Sequence, residues 1–384
     1  MKSSLREGSL GPAWMPQGRS SAMKAVAVFP KSREVRVLED VPEPRLRSPT
    51  EVRVRTLEVG VCGTDKEIAD FRYGTPPEGE DFLIVGHEAL GEVVEVGEQV
   101  QGLKPGDLVV PRVRRPCPHE RCPACRHGYP DFCVTGDYTE RGIQKAHGFC
   151  AQYFVEDMGY LHRVPAALRP VAVLTEPLTV AEKALREVEH LKERLPWEQK
   201  PGRAVVLGAG PVGLLGAMVL LRAGYETTVY SRSPKPNEKA EAAEALGAPY
   251  LSSKEVPVEE LARRVGSVDL VYEAAGASKA AFDVLRVLGP NGVFIFTGVP
   301  GRKEALQLDG AALLKQLVLN NQLALGTVNA ADTDFEAALE DLARFQARWP
   351  GQVERLVTAR HPPEEFQQVV SGKAGGIKHV ITFE

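Results

Sequence analysis

The sequence predicts an α/β protein with two domains: a β-rich amino-terminal domain and a domain built on a doubly wound parallel sheet. Short apolar runs alternate with Gly and Pro residues from Met23 to about Val164, which is the pattern of short, twisted antiparallel strands. From Glu176 onward, apolar strands alternate with helical stretches, which is typical of a parallel sheet. The length of 384 residues suffices for two domains of about 150 residues each.

Composition excludes several classes of protein. A net charge of −4 gives no electrostatic basis for binding nucleic acid. Residues 1–22 lack the apolar core of a signal peptide, and we expect them to form a disordered leader. The uncharged run Ala204–Leu221 is interrupted by Pro211 and several glycines, so we expect no membrane helix. The sequence therefore predicts a cytoplasmic protein without nucleic-acid or membrane partners.

A first set of candidate metal ligands lies in two Gly-flanked segments, with Cys62 in the first and His87 and Glu88 in the second. A thiolate, an imidazole and a carboxylate suit zinc, and three protein ligands leave one coordination position open for a substrate. A cysteine beside glycine is often only a small buried residue, and an isolated His-Glu pair is usually on the surface. Here both motifs lie in Gly-flanked segments at the ends of apolar runs. Their occurrence together favours a metal site over these two alternatives.

A second set consists of cysteines crowded into one loop, namely Cys117, Cys122, Cys125 and Cys133. Six cysteines are too few for a disulfide scaffold in a chain of this length, and close spacing favours a closed four-thiolate zinc site. His119 stands where an even spacing places the first ligand, so either Cys117 or His119 completes the site. We prefer Cys117, because sites with four thiolates are common.

A dinucleotide-binding motif follows a predicted helix over Glu176–Arg194. An apolar strand from Arg203 runs into a G-x-G-x-x-G sequence, with glycines at 208, 210 and 213, and a helix continues to Leu221. These glycines permit a tight turn, the close approach of a pyrophosphate and the packing of helix on strand. A second strand, 226–230, follows at the appropriate distance.

The end of that second strand indicates the cofactor. Ser231 and Arg232 stand where an NAD-specific site usually carries an acidic residue. Both can bind a 2′-phosphate, so NADP is preferred and use of NAD stays open. The alternative is that Arg232 is a solvated loop charge.

Two further strands, 268–272 and 292–296, precede Ala275-Gly276 and Thr297-Gly298 respectively. After Asn329 a helical stretch from Asp334 and a last strand, 378–382, do not extend the alternating pattern, and we expect them to fold back on the first domain. The predicted division is a catalytic zinc-binding domain of residues 23–180 with 330–384, and a dinucleotide-binding domain of residues 181–329.

Residues 23–384 together resemble the zinc-containing medium-chain alcohol/polyol dehydrogenase superfamily, and they look most like the archaeal-type glucose 1-dehydrogenases. The segments 114–117, 135–143, 174–201 and 326–329 carry the closer resemblance. It implies a GroES-like β-rich catalytic domain joined to a Rossmann domain, and a homodimer or homotetramer.

The resemblance also implies roles for individual residues. The catalytic zinc would be held by Cys62, His87 and Glu88, with Glu176 as a fourth or water-mediated ligand. Thr64 would relay the substrate proton, and Glu140, Glu176 and Asn329 would contact the sugar. The implied cofactor-binding residues are Gly208, Gly210, Pro211, Val212, Gly213, Ser231, Arg232, Ala275, Gly276, Thr297, Gly298, Asn329 and Lys378.

The implied activity is that of an NAD(P)-dependent glucose (aldose) 1-dehydrogenase, with zinc-assisted hydride transfer from sugar C1 to nicotinamide giving the aldonolactone. Whether glucose or galactose is preferred stays open. A polyol, secondary-alcohol or threonine dehydrogenase of the same fold is an alternative, and a panel of substrates with NADP distinguishes them. A non-enzymatic nucleotide-binding protein is a further alternative, which the intact zinc-ligand set disfavours.

Overall fold

The computed structural model describes residues 21–198, 200–301, 305–372 and 375–383. Residues 1–20, which make up nearly all of the predicted leader, lie outside the described residues. The first strand begins at Ala22, one residue before the apolar alternation noted in the sequence.

The described strands and helices follow the pattern expected from the sequence, with strands first and mixed elements later. The strands in chain order are β1 (Ala22–Phe29), β2 (Glu34–Pro42), β3 (Glu51–Val61), β4 (Leu83–Ile84), β5 (Glu88–Val96), β6 (Leu108–Pro111), β7 (Arg114–Arg115), β8 (Thr139–Arg141), β9 (Lys145–Ala146), β10 (Tyr153–Asp157), β11 (Leu161–Val164), β12 (Arg203–Leu207), β13 (Glu226–Ser231), β14 (Tyr250–Ser252), β15 (Val268–Glu273), β16 (Leu288–Phe296), β17 (Leu323–Gly326), β18 (Val357–His361) and β19 (Lys378–Thr382). The helices are α1 (Gly63–Ala69), α2 (Pro123–Arg126), α3 (Thr175–Lys192), α4 (Pro211–Arg222), α5 (Glu238–Ala245), α6 (Val258–Val265), α7 (Ser278–Leu285), α8 (Gly310–Leu319), α9 (Asp332–Arg348) and α10 (Phe366–Val370).

The β-rich part is organised around β3. A seven-stranded sheet runs in the order β11-β6-β5-β3-β19-β18, and β10 also pairs with β3. Strands β5, β10 and β19 all pair with β3 in antiparallel orientation. Two small sheets, β2-β1-β4 and β7-β8-β9, flank it. Strand β19 thus brings residues from late in the chain beside β3 and the start of β5.

The second part is a six-stranded parallel sheet in the order β14-β13-β12-β15-β16-β17. The chain begins this sheet in the middle, at β12, and builds outward first to one side and then to the other. Ligands of doubly wound sheets bind where that direction reverses, outside the carboxyl ends of the strands. In this sheet the reversal lies between β12 and β15.

A layer of helices joins the two sheets. One apolar cluster includes Val188 of α3, Leu214 of α4 and Phe345 of α9, and it continues to Leu57 and Leu90 in the seven-stranded sheet. Each large apolar side chain buried in such a cluster contributes about 1.5–3 kcal/mol. The helix layer therefore holds the β-rich sheet in a fixed position beside the parallel sheet. Among the described residues, no helix combines the length and apolar character needed to span a membrane.

Candidate active site

The two motifs of the first ligand set meet in space. Cys62, His87 and Glu88 each offer one ligand atom, and these three atoms lie within 4.8 Å of one another. Cys62 Sγ lies 3.2 Å from His87 Nε2. Cys62 directly follows β3 and Glu88 begins β5, so the pairing of these two strands brings the ligands together.

The register of β3 explains why glycine stands at position 60. Gly60 pairs with Glu88 across the sheet. A Cβ atom on Gly60 would lie 2.2 Å from Glu88 Oε2 and 2.7 Å from Lys378 Cε. Any larger residue would therefore displace the Glu88 carboxylate.

The donor set fits a zinc ion. A thiolate, an imidazole and a carboxylate are zinc ligands, and three of them leave a position open. Asp65 Oδ1 lies 3.6 Å from His87 Nδ1, which is where a carboxylate orients a metal-binding histidine. Burial lowers the pKa of His87, but the charges of Cys62 and Asp65 outweigh it and raise that pKa well above its usual value. This cluster of negative charge favours a cation.

Two other expected residues flank the cluster. Glu176, in the first turn of α3, does not belong to the set of atoms within 4.8 Å. Burial raises the pKa of Glu176 to about 7, and the charge of His87 opposes the rise. Thr64 donates its backbone N–H to Cys62 Sγ at 3.3 Å. Thr64 therefore lies in the first turn of α1, with its backbone nitrogen beside the ligand sulfur.

Lys378 lies in the metal cluster. The resemblance implies a contact with cofactor phosphates, but the Lys378 ammonium is ion-paired with Glu88 and donates to the Val61 carbonyl at 3.0 Å. The residue is only 1% exposed. Because β19 lies beside β3, its first side chain enters the metal cluster and is held away from solvent. A contact between Lys378 and the cofactor phosphates stays a prediction, and in this structure the Lys378 ammonium has Glu88 and the Val61 carbonyl as partners.

The cysteine-rich loop forms a second cluster. The sulfur atoms of Cys117, Cys122, Cys125 and Cys133 all lie within 4.8 Å of one another, and all four residues are free thiols. His119 instead lies at the surface, 3.0 Å from Asp137. Backbone N–H groups of Cys125 and Val134 lower the pKa of Cys122 to about 6, which favours the thiolate. Four convergent sulfur atoms suit a closed zinc site. The spacing left Cys117 or His119 as the fourth ligand, and Cys117 is the one that lies in the cluster.

The glycine-rich turn lies at the carboxyl end of β12. Gly208 has φ +109°, and a Cβ atom on Gly213 would lie 2.1 Å from the Gly208 carbonyl oxygen. A Cβ atom on Gly210 would meet nothing within 4 Å, so open space adjoins it. Pro211 and Val212 begin α4, whose amino terminus favours a phosphate.

Arg232 lines a cleft of about 910 Å³. Ser231 ends β13 and Arg232 follows it, exposed to solvent. The cleft is lined also by Ser253 and by residues 276–280. A cationic side chain at the end of this strand suits a 2′-phosphate.

Glu273 is a site residue that the sequence reasoning missed. Its Oε1 atom accepts hydrogen bonds from the amides of Ala275 and Gly276, both at 2.8 Å. Its backbone carbonyl accepts from Thr297 Oγ1 at 2.7 Å. The two predicted cofactor loops are therefore organised by one buried carboxylate. An acidic residue at the carboxyl end of an apolar parallel strand was the available signal.

Two of the three predicted sugar-contacting residues, Glu140 and Asn329, are brought together. Asn329 Nδ2 donates to Glu140 Oε1 at 2.8 Å. The same oxygen accepts from Nε and Nη2 of Arg114, each at 3.0 Å. Arg114 is thus a site residue to which the sequence alone assigns no role.

Comparison with known proteins identifies the family. Residues 48–166 match the family described as "Alcohol dehydrogenase GroES-like domain". Residues 169–383 match the family described as "Glucose dehydrogenase C-terminus". The chain belongs to the glucose 1-dehydrogenase family. The predicted family and the predicted fold class, a GroES-like domain with a Rossmann domain, are confirmed.

Relatives in this family match over nearly their whole length. A glucose 1-dehydrogenase of Thermoproteus tenax is 43% identical over 361 residues, covering 94% of this chain and 99% of that protein. A glucose 1-dehydrogenase of Methanocella arvoryzae is 39% identical with the same coverage. Among solved structures, Haloferax mediterranei glucose dehydrogenase in complex with NADP, Zn and gluconolactone has a TM-score of 0.83 at 37% identity, covering 94% of this chain and 99% of that one.

Proposed function

We propose that this protein is a zinc-assisted, NAD(P)-dependent glucose (aldose) 1-dehydrogenase that converts an aldopyranose to its lactone. The observation that carries the proposal is the convergence of Cys62, His87 and Glu88 into one zinc-suited donor set in a chain of this family. The H. mediterranei relative was solved with NADP, Zn and gluconolactone, which supports the binding of the same cofactor, metal and sugar lactone here. NADP is the preferred cofactor, since Arg232 lies at the end of β13 where an acidic residue would favour NAD.

When bound, zinc supplies Lewis acidity that lowers the pKa of the C1 hydroxyl, and NADP accepts the hydride from C1. The chain's own residues orient the sugar and carry its proton. Thr64 lies beside Cys62 and relays the hydroxyl proton outward. Glu140 and Asn329, bonded to each other, hold other sugar hydroxyls.

Lys378 offsets part of the negative charge of the metal cluster, because its ammonium pairs with Glu88 in a buried position. A buried carboxylate without such a partner would be costly. The pairing with Lys378 thereby holds the Glu88 carboxylate in place beside Cys62 and His87.

We infer a second, structural zinc at Cys117, Cys122, Cys125 and Cys133. Supporting this, the four sulfurs lie within 4.8 Å of one another. The loop that carries them contains only the one-turn helix α2 and a 3₁₀ turn, Pro130–Phe132. A closed metal site stabilises a segment of this kind, which has little core of its own.

The division into domains, the assembly and the location are also proposals. A catalytic domain of residues 23–180 with 330–384 agrees with the strands of the seven-stranded sheet, and residues 181–329 contain the parallel sheet. A homodimer or homotetramer is supported by exposed apolar side chains of α8, namely Leu314, Val318 and Leu319. Free cysteines support a reducing compartment such as the cytoplasm.

The test follows NADPH absorbance with D-glucose, D-galactose, D-xylose and sorbitol, before and after chelation. We expect turnover of an aldose that chelation abolishes and zinc restores. Activity restricted to sorbitol or simple alcohols would overturn the aldose assignment but keep a zinc dehydrogenase. Absence of turnover with every substrate, together with NADP binding, would indicate a nucleotide-binding protein without this activity.

A further inference from the structure

A closed ring of hydrogen bonds connects the predicted sugar residues with the cysteine-rich loop. The ring begins at Glu140, which lies opposite Arg114 across β7 and β8. Arg114 is 6% exposed and donates to Glu140 Oε1 through two nitrogens. Its third nitrogen, Nη1, donates to the Asp131 carbonyl at 3.2 Å. One guanidinium thus spans Glu140 and the turn Pro130–Phe132.

That turn ends directly before Cys133, a member of the four-sulfur cluster. The Asp131 side chain leaves the turn in another direction and accepts from Lys183 Nζ at 2.6 Å. Both side chains are almost fully buried. A buried ion pair of this kind is costly to form and strongly destabilising to break on one side only, so its geometry is held tightly.

Lys183 closes the ring. Its ammonium also donates to the Val328 carbonyl at 2.9 Å. The next residue, Asn329, has φ +60°, a left-handed conformation that orients its side chain towards Glu140. Asn329 Nδ2 then bonds Glu140 Oε1 at 2.8 Å. The circuit therefore passes from Glu140 through the cysteine loop and α3 and returns to Glu140.

The ring distinguishes the two oxygens of Glu140. Oε1 accepts three hydrogen bonds, from Arg114 and Asn329. Within the part of the chain that the structure describes, Oε2 has no hydrogen-bond partner. This oxygen is also not completely buried, so a ligand can reach it. One oxygen is thus fixed by the protein and the other is left for a ligand.

We propose that Asp131 and Lys183 are positioning residues for the sugar: through Arg114 and the Val328 carbonyl they fix Glu140 and Asn329, so that Glu140 Oε2 faces a sugar hydroxyl. The inference rests on the proposed function, because it takes the ligand to be an aldose. On this proposal the turn Pro130–Phe132 of the cysteine-rich loop contributes to sugar affinity. That contribution is separate from the stability that a metal in the loop provides.

The test is the double variant Asp131→Asn with Lys183→Met, which replaces the ion pair by neutral side chains of similar size. We expect the KM for D-glucose to rise roughly tenfold or more, since hydrogen bonds to charged groups are lost. We expect kcat and the Kd for NADP to change less than about twofold. Affinity for gluconolactone, measured calorimetrically with NADP present, is expected to fall in parallel with the KM change.

The matched control is Asp341→Asn, which neutralises a buried carboxylate paired with Arg222 at 2.7 Å outside the ring. It is expected to lower Tm without changing the KM for D-glucose. Zinc content is measured for every variant, and the wild-type value is expected throughout. A second variant, Arg114→Lys, keeps a cation opposite Glu140 while cutting the link to the turn, and is expected to raise the same KM.

Several results would overturn the inference. If the double variant lowered kcat and NADP affinity as much as sugar affinity, the ring would have only a structural role. If Arg114→Lys folded with an unchanged KM, the link through the turn would be refuted, even where the double variant did not fold. Failure of the wild-type protein to oxidise any aldose would instead refute the proposed function.

Discussion

Glu273 Oε2 accepts a hydrogen bond from the Gly298 amide at 3.1 Å, and this bond ties the loop after β15 to the loop after β16. The two loops also approach closely: a Cβ atom on Gly298 would lie 2.2 Å from the Gly276 nitrogen. Residues 275–276 and 297–298 therefore form one surface rather than two independent loops. Both lie at the carboxyl edge of the parallel sheet, where dinucleotides bind.

The variant Glu273→Gln is expected to loosen that surface. An amide keeps only one acceptor oxygen, so at least one of the hydrogen bonds that the Ala275, Gly276 and Gly298 amides donate to this side chain is lost. We expect a loss of about 1–3 kcal/mol in the free energy of unfolding and weaker NADP binding. Urea unfolding and fluorescence titration with NADPH measure the two effects.

The control for Glu273 lies on the same strand. Asp269, near the opposite end of β15, also accepts a backbone N–H, from Arg203 at 2.8 Å. Asp269→Asn is expected to leave the Kd for NADPH unchanged. Equal weakening of NADPH binding by both variants would mean that β15 acts only as part of the core.

The variant Cys62→Ser tests the catalytic metal cluster. Serine removes the sulfur atom that lies 3.2 Å from His87 Nε2, whereas the glycine-rich turn proposed to bind the nucleotide is left unchanged. We expect turnover to be abolished while NADP affinity is largely retained. Steady-state rates and calorimetric titration with NADP check this, and equal loss of both would show that Cys62 is structural.

The variants Cys117→Ser and His119→Ala decide which residue completes the cysteine-rich site. Cys117 belongs to the four-sulfur cluster, and His119 is paired at the surface with Asp137. We expect Cys117→Ser to lower the zinc content by about half and to lower Tm, since a tetrahedral site loses one of its four ligands. His119→Ala should match wild type in both. Zinc loss only in the histidine variant would reverse the assignment.

Arg232→Ala is expected to weaken selectivity for NADP. Loss of a charged hydrogen-bond donor to phosphate predicts a KM for NADP that rises roughly tenfold to a hundredfold, with a nearly unchanged KM for NAD. Arg263→Ala removes an exposed arginine of α6 that does not line the cleft, and it is expected to change neither value. If both variants weakened NADP binding equally, Arg232 would act only through the overall charge of the protein and not through a direct contact with the phosphate.

The stability of the protein is expected to depend on pH through Glu182. Burial, together with the charge of Asp341, raises the pKa of Glu182 to about 9 from an ordinary value of 4.5. The folded chain therefore holds a proton that the unfolded chain releases, and stability is lost as pH rises from about 4.5 towards 9, by at most about 1.4 kcal/mol per unit.

The variant Glu182→Gln imitates the protonated acid and is expected to remove this dependence. Urea unfolding at several pH values between about 5 and 9 gives the slope for each protein. Glu189→Gln, at an exposed position of the same helix, should keep the wild-type slope. A wild-type slope in Glu182→Gln would contradict the prediction.

Local patterns in the sequence were sufficient for much of the fold. The last strand was expected at 378–382, and β19 has those bounds. The helix expected over Glu176–Arg194 is α3, Thr175–Lys192. Apolar periodicity and glycine spacing decide such elements, since these signals lie within a few residues of one another.

Contacts between distant segments could not be predicted in the same way. The pairing of Lys378 with Glu88 depends on β19 lying beside β3, and the role of Arg114 depends on how the cysteine loop packs. Helix α1 was missed because it is short and begins directly after Cys62, whose sulfur accepts the Thr64 amide. These relationships arise from tertiary packing, which the periodicity of the sequence does not predict.

The position of Lys378 has a consequence for the order in which the protein is made. Cys62, His87 and Glu88 leave the ribosome early, but the cation that pairs with Glu88 is carried on β19 and is synthesised hundreds of residues later. A nascent chain that ends before β19 holds Glu88 without its partner and β3 without one of its neighbouring strands. The mature geometry around the Glu88 carboxylate is therefore completed only after translation has passed residue 378.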